Sequence, residues 1–148
     1  MINWFSTRLK NNKEEVFDPI RRKWVRLTPE EEVRQMLLRD LVEQYHVPPG
    51  LISVEFPLKV HGMEKRCDVV VFDHHINPLM IVECKARNVN LNQDVMVQAS
   101  TYNLNLKVPF LLITNGNQQY CCKINYSEGE IVFLNAVPFY EEMTEPDR

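Results

Sequence analysis

Residues 66–85 read RCDVVVFDHHINPLMIVECK, two β-branched apolar runs, DVVVFD and LMIVEC, separated by HHINP. Such runs favour strands, and a short polar segment closed by proline favours a turn, so the stretch is expected to form a β-hairpin. Side chains alternate across a strand, which puts Asp68 on one face with Val70 and Phe72, and Glu83 on one face with Lys85, roughly 7 Å apart. In an antiparallel pair the start of the first strand lies beside the end of the second. Two carboxylates and a lysine are therefore expected at one end of an apolar hairpin.

Charge beside so much apolar surface is costly unless it is paired or holds a metal. Asp68 and Glu83 offer hard oxygen donors to a divalent cation, and Lys85 can stabilise developing negative charge or position a water. The plainer reading is a salt bridge between Lys85 and one acid at the solvated end of a sheet. Residue types alone leave both open.

Asp68, fourteen intervening residues, then Glu83-Cys84-Lys85 is similar to the PD-(D/E)XK nuclease signature. The wider sequence resembles the amino-terminal nuclease domain of type I restriction enzyme R subunits. The shared features are LTPEEEVRQ at 27–35, KRCDVVVFD at 65–73, IVECK at 81–85, QASTY at 98–102 and LLITNG at 111–116, and the likeness covers about residues 15 to 120. Cys67 stands where the signature has proline, a position that is not a ligand. The resemblance implies an α/β fold with a restriction-endonuclease-like core: a central mixed β-sheet flanked by helices, preceded here by an N-terminal β-hairpin. It implies Mg²⁺ or Mn²⁺ held by Asp68, Glu83 and the backbone carbonyl of Cys84, and hydrolysis of DNA phosphodiester bonds. Lys85 would orient the nucleophile or support the transition state, and Gln98 would bond a phosphate, the attacking water or Lys85. Glu31, Gln35 and Tyr102 would support the centre.

One domain is expected from 148 residues, and 45% hydrophobic with 25% charged residues describes an ordinary globular protein. Neither a membrane-spanning apolar run nor a signal-peptide pattern occurs, so the expected location is cytoplasmic. Of the four cysteines, Cys121 and Cys122 are adjacent, and no spacing matches a paired zinc motif, so free thiols are expected. His46, His61, His74 and His75 form no convergent set and read as surface residues. The net charge of −3 argues against a large phosphate-binding surface, but residues 1–27 carry +4 and residues 128–148 carry −5, a basic arm and an acidic tail.

Residues 1–14 show no period and are expected to be loosely ordered, as are 141–148. EVF and KWVRL around Asp18-Pro19 form the N-terminal hairpin, where Trp24 either packs on the domain or stacks on bases. Thr28-Pro29 with Glu31 starts a helix running to about Tyr45, with Leu37, Leu38, Leu41 and Val42 on its apolar face. Glu31 is thus a cap by local chemistry and a candidate site acid by resemblance. LISVEFPLKV at 51–60 reads as a strand bent or interrupted at Pro57. A helix is expected over about 92–107 with Leu91, Val95, Gln98, Tyr102 and Leu106 near one face, followed by a buried strand at FLLIT and two more strands.

No P-loop occurs, so either the domain works alone or a separate chain supplies the motor or targeting function, and cutting both strands invites a homodimer. Two other classes fit the same residues. One is a nucleic-acid-binding module that has lost turnover, which the negative net charge favours; the other is a protein-interaction module using the acidic tail.

Overall fold

The computed structural model describes the backbone of residues 1–60, 62–103 and 106–145, and the side chains of these except 60, 63 and 101–103. His61 and the Tyr102 side chain lie outside the described residues. Among the described residues two sheets are present, one of three strands and one of six.

The first sheet consists of β1 (Thr7–Lys10), β2 (Lys13–Asp18) and β3 (Lys23–Arg26), all antiparallel. The hairpin around Asp18-Pro19 pairs Asp18 with Lys23 and Phe17 with Trp24. Residues 7–10 differ from the loose start expected of them. Asn11 and Asn12 both take left-handed φ, 52° and 62°, between Lys10 and Lys13, the two-residue turn that suits a tight hairpin, and this pairs β1 with β2. The Asn-Asn signal was there; the absence of hydrophobic alternation in TRLK hid the strand.

Helix α1 (Pro29–Glu43) begins as its sequence dictates: Thr28 Oγ1 accepts the Glu31 N–H at 3.1 Å, proline opens the first turn, and Glu30, Glu31 and Glu32 meet the positive end of the helix dipole. Val33, Leu37, Leu38 and Leu41 are buried against Val69, Val71, Met80, Val82 and Leu112 on one face of the large sheet. The other face carries Val70, Phe72, Ile81, Leu111 and Ile113, covered by Met96 of α2 (Gln93–Asn103). Burial on both faces explains the continuous apolar runs of residues 69–72 in β5 (Met63–Phe72), 79–82 in β6 (Pro78–Cys84) and 110–113 in β7 (Phe110–Thr114). The β6–β7 pair is parallel, with α2 in the crossover between them, while β4 (Ile52–Val60), β8 (Gln119–Asn125) and β9 (Glu130–Leu134) add antiparallel neighbours. The result is the mixed central sheet with helices that the sequence led us to expect.

Three details depart from the sequence reading. Pro57 does not interrupt β4, because β4 is an edge strand and proline's missing N–H is tolerated at an edge. The buried stripe of α2 is turned toward Met96 and Ser100, both fully buried, and Ser100 is satisfied by donating its hydroxyl to the Met96 carbonyl at 2.6 Å. Gln98 consequently stands exposed. Near the C-terminus, α3 (Tyr140–Thr144) docks through buried Tyr140 and Met143, with the Tyr140 hydroxyl donating to the Phe72 carbonyl at 2.9 Å.

Candidate active site

The hairpin of β5 and β6 pairs Val69 with Val82, and no backbone pair follows toward Asp68 and Glu83. Past that pair the Cys84 N–H is taken by Asp68 Oδ2 at 2.7 Å, so a side-chain carboxylate stands where a strand carbonyl would continue the ladder. Asp68 and Glu83 follow the Val69–Val82 pair on their two strands, and the Asp68–Cys84 bond keeps the two acids at one end of the hairpin. Lys85 continues along β7, donating its backbone N–H to the Thr114 carbonyl at 2.8 Å. Its side chain is half-buried and its ammonium makes no ion pair among the described residues.

Glu83 does not meet Lys85. Its carboxylate is ion-paired with Lys65 of β5, and both side chains are mostly buried, 15% exposed for the lysine and 19% for the glutamate. Sequence reasoning passed over Lys65 because strict alternation puts residue 65 on the opposite face from Asp68. The alternation breaks here: Cys67 packs with Val70 and Phe72, whereas Val69 packs on the α1 side. Across from Asp68, Glu55 of β4 takes φ 55°, left-handed for a non-glycine residue, and the ladder runs from Val54–Val69 to Phe56–Cys67 without pairing it. The signal in the sequence was a lysine three residues before the acid.

The two thiols beside these charges are held neutral. Burial pushes Cys67 up to about 11, with Glu83 and Asp68 adding to the rise and Lys65 opposing it. Burial raises Cys84 further, with Asp68 next in effect. All four cysteines are free and buried, so they act as small apolar side chains.

Glu31 and Gln35 lie in a second charged cluster, on the α1 side. Glu31 is 5% exposed and accepts from Arg21 Nη2 at 2.5 Å, from Arg34 Nε at 2.9 Å and Nη2 at 2.8 Å, and from Gln35 Nε2 at 3.3 Å. Burial alone would raise its pKa, but the two guanidiniums outweigh it and hold the carboxyl at about 2. Arg21 is anchored by the fully buried Asp18 at 2.6 Å, and Glu55 joins through Arg34 and Arg66. The cluster thereby ties the small sheet to α1 and to the edge of the large sheet. Gln35 is fully buried and its Oε1 finds no hydrogen-bond partner among the described residues.

A concavity of about 580 Å³ is lined by Phe17 and Trp24 of the small sheet and by Pro19 and Arg22 of its turn, and neither Asp68 nor Glu83 lines it. Trp24 is packed there, with Phe17 edge-on at 5.4 Å and the Arg8 guanidinium 4.3 Å over its ring. Among the described residues no three His, Cys, Asp or Glu side chains gather as a metal site. The β5–β6 end offers the carboxylates of Asp68 and Glu83 as oxygen donors. It suits a hard cation of the Mg²⁺ kind, which keeps several waters and binds through few protein ligands.

The model for the Type I restriction enzyme R protein N terminus (HSDR_N) matches residues 29–138. The chain belongs to this family. The match contains both strands of the hairpin, the Glu83-Cys84-Lys85 run, Gln98 and the whole of α1. Among solved structures, a fragment of a protein assigned as the HsdR subunit of a type I restriction enzyme from Vibrio vulnificus YJ016 is similar, at 24% identity and a TM-score of 0.55. The alignment takes in 79% of this chain and 24% of that one, so this chain spans about a quarter of the length of the solved fragment and shares its fold. No curated protein matches. Among the described residues no helix is long and apolar enough to cross a membrane.

Proposed function

We propose that this R-subunit N-terminal domain is a metal-dependent nuclease of the PD-(D/E)XK type, hydrolysing DNA phosphodiester bonds. The observation that carries the reading is the splayed end of the β5–β6 hairpin, where Asp68 grips the Cys84 N–H and so fixes itself beside Glu83, with Lys85 two residues on. Asp68, Glu83 and the Cys84 carbonyl would hold Mg²⁺ or Mn²⁺, which when bound lowers the pKa of a water and offsets charge on the departing oxygen. Asp68 is kept in position by the backbone it binds, so its carboxylate needs little reorganisation to serve as a ligand. Lys85, with no carboxylate partner among the described residues, has its ammonium available for a phosphate oxygen or the attacking water. Gln98 is exposed on α2, where it can reach a phosphate of bound DNA rather than a buried water. DNA is the expected partner, together with a separate motor or targeting subunit and a second copy of the chain for double-strand cutting.

The test is nicking and linearisation of supercoiled DNA, with linear DNA and RNA as further substrates, by wild type and Lys85→Ala in Mg²⁺ or Mn²⁺. The lysine is not a ligand, so metal affinity should hold while cleavage falls about 100-fold or more, an effect of roughly 2.7 kcal/mol on the transition state. Equal activity of the two proteins on every substrate would sink the reading. The non-catalytic binding module is then the better account, favoured by the net charge of −3 and by the Lys65–Glu83 pair.

A further inference from the structure

Lys65 is the cation that Glu83 meets, and it reaches across from the strand that also supplies Asp68. The pair sits in a mostly buried setting, where a carboxylate without a counter-charge is expensive. Asp68 accepts the N–H of Cys84, the residue next to Glu83, so the Lys65–Glu83 pair lies at the same end of the hairpin as the second carboxylate. Arg21 and Arg34 are committed to Glu31 and Arg66 to Glu55, while Lys85 makes no ion pair among the described residues. The ammonium pairs with Glu83 Oε1, and a divalent ion bound to the same carboxylate would stand within a few ångströms of it, where the two cations repel.

We infer that Lys65 is a positioning residue for the metal site, a tethered counter-cation that neutralises and orients Glu83 until a divalent ion displaces its ammonium. The inference rests on the metal-dependent reading above and assigns a role to a residue outside the Asp68, Glu83, Lys85 set. An ammonium on a flexible four-carbon stem suits the task better than a guanidinium, because it can leave its partner and remain near the phosphate side of the site. Displacement has a cost, so the wild-type site binds metal more weakly than the same carboxylates would without the lysine. A merely structural Lys65 predicts the reverse: losing it would loosen Glu83 and weaken the metal.

The experiment is calorimetric titration of the full chain with Mn²⁺ for wild type, Lys65→Met, Lys65→Gln and Lys65→Arg, each checked for its thermal melt. The neutral variants should bind Mn²⁺ about tenfold tighter or more, the size of one removed charge interaction at a partly buried site, and Lys65→Arg, whose fork holds the carboxylate more firmly, should bind it no tighter than wild type. Equal or weaker binding by the neutral variants overturns the role of Lys65 while leaving the metal site standing. No Mn²⁺ binding by wild type or any variant overturns the metal reading and this inference together. Should both neutral variants fail to fold, the wild type decides. During Mg²⁺ titration the Lys65 ¹³Cε resonance should move toward that of an exposed lysine, and a signal that stays put while Mg²⁺ binds refutes displacement.

Discussion

Replacing Glu31 by glutamine separates the two things its position could mean. The side chain is 5% exposed and faces Arg21 and Arg34, which hold its carboxyl at about 2 against an ordinary 4.5. A drop of that size corresponds to about 3 kcal/mol of folding stability at neutral pH, and stripping one partner from a buried ion pair costs about 3–5 kcal/mol. Glutamine keeps the shape and an acceptor oxygen, so the loss should fall at the lower end, about 3 kcal/mol, read as a shifted midpoint in urea. The sign with pH follows from the lowered pKa. The carboxylate's contribution is complete above about 4.5, declines as pH falls, and is gone below about 2. Wild type and Glu31→Gln should therefore differ most near neutrality and converge toward pH 2, as far as the fold survives to be measured. Mn²⁺ binding, measured on the folded fraction, should be unchanged. A loss under about 1 kcal/mol together with weakened Mn²⁺ binding would refute the structural account and return Glu31 to the site.

Asp68→Asn should weaken Mn²⁺ binding by calorimetry, because the amide brings no negative charge, while its remaining oxygen can still accept the Cys84 N–H and preserve the fold; unchanged affinity would put the metal elsewhere. Gln98→Ala should reduce cleavage less than Lys85→Ala does, since an exposed amide's contact with phosphate is readily replaced by water, and an equal loss in the same nicking assay would contradict its exposed placement. Leu38→Ala, at a fully buried position between α1 and the sheet, should cost about 2–5 kcal/mol in urea unfolding; a loss below about 1 kcal/mol would mean that α1 does not pack as described.

Local chemistry alone determined much of this protein. The start of α1 was legible because Thr28, Pro29 and Glu31 act within one turn, and β5, β6 and β7 because burial on both faces demands unbroken apolar runs. The adjacency of Asp68 and Glu83 was legible because a hairpin makes near neighbours of its two ends. What the sequence could not decide is which charge answers which. Lys85 was the natural partner for Glu83 by alternation, yet the turn of backbone at Glu55 and the splay at Asp68 bring Lys65 to it instead. Glu31 read equally as cap and as site acid until Arg21, ten residues earlier on a separate sheet, closed on it. The outward turn of Gln98 was likewise decided by how α2 settles its Met96 and Ser100 onto the sheet, since several rotations of one helix satisfy nearly the same spacing. Ion pairing across elements and helix rotation depend on distances between segments far apart in the chain, and only the tertiary structure sets those.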